Sequence, residues 1–244
     1  MQSNSKPVQI DFPRTFKRAD AEHGRMNADA FPDAIRDAKA TELDRLGSQQ
    51  ALVALTDADL DTERVLRAAA QSEHTASETF AAWAESAAEA SGTDDADATD
   101  AAEEFDGLAD EERDHYDRVV AQLDGEFTPA DAVDPMHEYL RELDTTVERA
   151  AGLVGRSLAS DRTQLQVVNF FVNEADERRA DLFRDLRAET QAGVETGADL
   201  LATHCEEDGD WDRAREVAAE TVQIAYDDYA ETLQGMGLDP KPIC

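Results

Sequence analysis

Glu112 and His115 stand three residues apart in "ADEERDHYDRVV" (109–120). On a helix, residues at that spacing point to one side, so a carboxylate and an imidazole there can reach one ion. A carboxylate with a neutral imidazole suits Fe, Mn or Zn. Glu73 lies in "LRAAAQSEHTASETF" (66–80), at the centre of the stripe Leu66, Ala69, Ala70, Ala76 and Phe80. Glu42 is placed in the same way among Ile35, Ala38, Leu46 and Val53. A carboxylate on a buried face is costly unless a cation meets it. The cation expected to meet Glu73 and Glu42 is Arg179, which interrupts an otherwise apolar stripe of Val172, Ala175, Leu182 and Leu186. His115 and Gln49 are the other partners the sequence offers to these carboxylates.

The elements that must position these residues read as helical nearly throughout. Helices are expected at about 28–57, 62–91, 99–124, 134–160, 161–189, 190–207 and 210–235. The punctuation agrees with this. "TDADLDT" (56–62) is an Asp-rich turn, and "SGTDDADATD" (91–100) is a polar linker. In "DGEFTPADAVDP" (124–135), Asp134 is an N-cap and Pro135 the first helical residue. No segment alternates like a strand, and no repeat of fixed period appears.

The chain has 244 residues and a formal net charge of −33, from 56 acidic and 23 basic residues. Only four of the basic residues are Lys. With 41% hydrophobic residues set at helical spacing, this is a folding chain and not an acidic disordered tail. The composition reads as adaptation to a salt-rich cytoplasm, where screening relieves self-repulsion. Such a surface disfavours nucleic acid and anionic lipid as partners. No apolar run is long enough for a signal peptide or a membrane span, so the expected location is cytoplasmic.

Residues 1–25 carry five basic and three acidic residues, with Pro7 and Pro13. They are expected to form a disordered arm, and Met26 reads as an alternative start. Residues 26–240 are expected to form a single helical-bundle domain. Cys205 lies on a stripe with Val194, Ala198 and Leu201 and reads as a buried thiol. Cys244 is the last residue given, and the two cysteines make no disulfide framework.

Residues 41–124 resemble the ferritin-like, rubrerythrin-type family. "LRAAAQSEHTASETF" is similar to a helix in which an Ala-rich run leads to a ligand Glu. "ADEERDHYDRVV" is similar to a helix carrying Glu-x-x-His. The resemblance implies an all-α, ferritin-like antiparallel bundle, here with additional C-terminal helices. It implies Glu42, Glu73, Glu112 and His115 as metal ligands, and non-haem iron chemistry of the oxidase, peroxidase or iron-handling kind. The chain departs from the family at Ala76, where a second His commonly follows the Glu by three residues, and it has no Cys-x-x-Cys pair. The fourth and fifth helices place no carboxylate centrally, so at most one ion is expected, with Arg179 in place of another.

Two other classes stay open. One is a non-catalytic scaffold acting as a regulatory or binding module, a class that carries a transcription-antitermination label among proteins resembling this one. No basic patch or RNA motif supports that label here. The other is a haem-oxygenase-like enzyme, since seven helices ending in "AYDDYAETL" (225–233) also suit that fold. Neither the partner, whether protein or small molecule, nor the oligomeric state is legible.

Overall fold

The computed structural model describes residues 26–90 and 96–240, without the side chains of 90 and 96–99. The expectations for the arm 1–25 and for Cys244 fall outside the described residues. Within them the protein is all-helical. The helices are α1 (Phe31–Ala38), α2 (Ala40–Leu46), α3 (Gln50–Leu55), α4 (Thr62–Ala90), α5 (Ala96–Val120), α6 (Pro135–Arg141), α7 (Thr146–Asn173), α8 (Glu177–His204) and α9 (Asp208–Gly235). No strand occurs among the described residues.

The long helices pack side by side: α4 along α5, and α7 along both α8 and α9. α4 is 29 residues long, roughly 43 Å at 1.5 Å per residue. Five linker residues cannot span that length, so lateral packing of α5 requires reversal. The three-residue connection between α7 and α8 forces the same outcome. The bundle is thus built from helical hairpins, with the short helices α1–α3 and α6 packed against it.

α7 is the axis. Every residue from Arg149 to Ala159 is buried. Two glycines allow this close approach. A Cβ on Gly155 would sit 2.6 Å from the Ala218 carbonyl oxygen of α9, and one on Gly197 of α8 would sit 2.8 Å from that of Ala150. Side chains at either position would push the helices apart. A helix buried on all sides carries no amphipathic stripe, which is why periodicity locates it poorly.

Several expected boundaries are corrected by local turn chemistry. The single helix expected at 28–57 is three short ones, interrupted at Lys39 and at Gly47–Gln49. The helical phase resets at each break, so Ala38 is exposed and Val53 only half-buried. No break occurs at 160–161, where Asp161 stays helical and pairs across to α8 with Arg187 (2.8 Å) and Gln191 (2.7 Å). The true start of α7 is a capping box, in which Thr145 accepts from the Glu148 N–H and Glu148 reaches back to the Thr145 N–H. Its end pairs Ala175 N–H with Val172 O and Asp176 N–H with Phe171 O. This is a Schellman closure in which Ala175, at φ 58°, takes the left-handed position usually held by Gly. Asp134 and Pro135 open α6 as expected, Asp134 accepting from the His137 N–H. No helix among the described residues is long and apolar enough to cross a membrane.

Candidate metal centre

Four long helices each send a charged side chain toward one point. α4 supplies Glu73, α5 supplies Glu112 and His115, α7 supplies Arg156, and α8 supplies Glu189 from its partly exposed middle. Glu73, Glu112, His115 and Arg156 are all buried. The potential ligand atoms of Glu73, Glu112 and His115 lie within 4.8 Å of one another. His115 Nδ1 stands 3.4 Å from Glu112 Oε2 and 3.9 Å from Glu73 Oε2. Each of these three atoms is buried without a hydrogen-bond partner.

On the far side of the cluster Arg156 and Glu189 hold the other ends of these groups, although Arg156 Nε is itself buried without a partner. Arg156 Nη1 donates to Glu112 Oε1 at 2.5 Å, and its guanidinium carbon lies 5.4 Å from the Phe80 ring centroid. His115 Nε2 stands 2.7 Å from Glu189 Oε2, which also accepts from Arg118 Nη1 at 2.9 Å. A carboxylate on one imidazole nitrogen fixes the ring and makes that nitrogen the donor. The other nitrogen, Nδ1, then faces two carboxyl oxygens. Only a proton or a metal ion between them removes the lone-pair repulsion.

The electrostatics describe the proton-filled form. Burial pushes Glu73 up to about 8, and the adjacent Glu112 adds to the rise. Burial opposes ionisation of Glu112 too, but Arg156 and the neighbouring His115 prevail and hold it below the usual carboxylate range. For His115, burial favours the neutral ring, yet the adjacent Glu112 carboxylate, aided by Glu73 and by the hydrogen bond to Glu189, raises it to about 9. Near neutrality Glu73 and His115 therefore both carry protons. A divalent ion entering the cluster must displace them, so its affinity rises with pH.

Of the residues expected from the sequence, the structure brings Glu73, Glu112 and His115 together. It does not bring Glu42. That residue is half-buried in the first turn of α2, where a carboxylate is favoured by the helix dipole, and is not one of the group. Arg179 is corrected as well. It donates to Asp176 Oδ2 (2.8 Å) and to the Gln122 carbonyl (3.1 Å), with its side chain 26% exposed. Because α7 runs on to Asn173, Arg179 falls in the first turn of α8 and not at mid-bundle.

The cation that meets this carboxylate cluster is Arg156, which sequence reasoning missed. Its signal was available: it is the lone charge in "AAGLVGRSLAS" (150–160). Glu189 had no comparable signal, since α8 is rich in acidic residues throughout. The chain matches no family model, and neither a similar curated protein nor a similar solved structure is found for it.

Proposed function

We propose that this protein is a ferritin-like helical metalloprotein that holds one transition-metal ion, Fe, Mn or Zn, between Glu73, Glu112 and His115. The observation that carries the reading is the set of three buried, converging ligand atoms, each left without a partner. Buried polar atoms are paired in native proteins with few exceptions. Three such exceptions converging on one point make a donor set of two carboxylates and one imidazole, which suits these metals. The Arg156 guanidinium on Glu112 limits the charge the pocket can take, in keeping with one ion and not two. A bound Fe or Mn would supply redox chemistry, and Zn would supply Lewis acidity. The chain's own part is to orient His115 through Glu189, to keep Glu112 ionised through Arg156, and to exclude bulk water.

A second reading rests on Arg156 itself. With Glu73 and His115 protonated, the cluster is a self-compensated ionic core that needs no metal, as suits a scaffold or binding module. Elemental analysis after reconstitution with Fe, Mn and Zn in turn separates the two. On the metal reading the protein retains about one equivalent of an ion, and His115→Ala and Glu73→Gln each lose it while remaining helical. Retention of no ion by the wild type favours the scaffold.

A further inference from the structure

Beside the cluster lies a cavity of about 460 Å³, bounded by α2–α4, by the segment before α6 together with the first turn of α6, and by α7, α8 and α9. Its size falls within the range of about 300–1,000 Å³ typical of small-molecule sites. Most of the wall is apolar, with Leu46, Leu55, Val167 and Phe183 among its larger side chains. The acidic residues on the wall are Glu73, Asp134 and Asp228, and the wall contains no Lys or Arg. Glu73 is buried and Asp228 is exposed, so the cavity runs from solvent inward to the cluster.

One buried acceptor on this wall lacks a donor: Oε1 of Gln164, a side chain only 9% exposed whose Nε2 is held by Thr190 Oγ1 at 3.0 Å. Glu73 also reaches the wall, but its Oε2 stands 3.9 Å from His115 Nδ1, and His115 is not part of the wall. Thr190 is not part of the wall. An unmet buried acceptor is costly, and a ligand that donates to it removes that cost. An anionic head would instead meet carboxyl groups and no Lys or Arg.

We propose that this cavity binds a small aliphatic amine, its hydrocarbon body on the apolar wall and its ammonium head toward Glu73 and Gln164. The proposal builds on the site described above, which shares Glu73, but it does not require an ion. The ammonium supplies several donors and a positive charge, matching the Gln164 acceptor, the Glu73 carboxyl and the acidic Asp134 and Asp228. A neutral alcohol of the same length supplies one donor and no charge, and a carboxylate supplies a like charge.

The test is calorimetric titration of the full chain, as purified and again after chelator treatment, with hexylamine, 1-hexanol and hexanoate at one pH and salt concentration. Hexylamine is expected to bind at least about tenfold more tightly than either of the others, a difference of about 1.4 kcal/mol. Gln164→Leu should weaken the amine, and Ala54→Phe, which fills the cavity from the short helix α3, should abolish binding. Far-UV circular dichroism checks that both variants fold, and the comparison of head groups on the wild type needs neither. Equal or tighter binding of hexanol or hexanoate overturns the proposal. So does binding of none of the three, or amine binding unchanged in folded Ala54→Phe. Because chelator-treated protein is included, loss of the metal reading leaves the amine result standing.

Discussion

Arg149 and Arg156 lie seven residues apart on α7, two turns along nearly the same face, and both are buried. Their surroundings differ. Arg149 spreads its donors over neutral acceptors: the Leu143 carbonyl (2.9 Å), Ser86 Oγ (2.8 Å) and the Trp83 carbonyl (3.4 Å). It ties the turn after α6 to α4 and leaves no orphaned acceptor behind. Arg156 meets Glu112, beside three side-chain atoms that could ligate an ion and have no hydrogen-bond partners. A buried charge alone therefore does not mark a site. What marks this one is that the groups around the charge remain incompletely satisfied, which is costly unless a proton or an ion completes them.

The largest expected effect tests that contrast directly. Arg156→Leu strands the Glu112 carboxylate in the core and should cost about 3–5 kcal/mol, the range for breaking a buried pair. Adding Glu112→Gln to it should recover part of the loss, read by denaturant unfolding of both variants. Arg149→Leu leaves only neutral acceptors unmet and should cost less, about 1–3 kcal/mol. An Arg149→Leu loss as large as that of Arg156→Leu would erase the distinction between the two arginines.

Acidity sharpens the comparison next. In the folded protein Glu73 holds its proton up to about 8 against an ordinary 4.5, and His115 up to about 9 against 6.5. The folded state thus binds protons that the unfolded chain has released. In metal-free protein these groups make stability fall as pH rises, most steeply between about 6.5 and 8, where both intervals overlap. Glu112 acts in the opposite sense, losing its contribution as pH falls below 4.5. Glu73→Gln keeps the shape of a protonated carboxyl, so at pH 5 it should change stability by no more than about 1 kcal/mol. It should also flatten the decline between about 6.5 and 8, as read from melting temperatures across pH. A slope unchanged by the substitution would remove Glu73 from the coupled cluster.

The smallest effect belongs to Arg179. Its partly exposed pair with Asp176 predicts that Arg179→Leu costs about 0–1 kcal/mol. A loss comparable to that of Arg156→Leu would restore Arg179 to the central role the sequence suggested.

Helical content, the Asp134–Pro135 helix start and the candidacy of Glu73, Glu112 and His115 were legible in the sequence, because each depends on interactions within about one turn or on a stripe along one helix. Glu-x-x-His places two potential ligands on one side by helical geometry alone. Glu73 announces itself as the one carboxylate in an otherwise small and apolar stripe. The break after Asn173 was not legible, since an Ala in the left-handed position carries no glycine signature. That one missed boundary moved Arg179 away from the centre of the bundle. The identity of the buried cation, the anchoring of His115 by Glu189 and the cavity beside Glu73 were decided only by the tertiary structure. Each depends on which faces of α4, α5, α7 and α8 meet, and α7, buried all round from Arg149 to Ala159, has no stripe there by which its sequence could choose one.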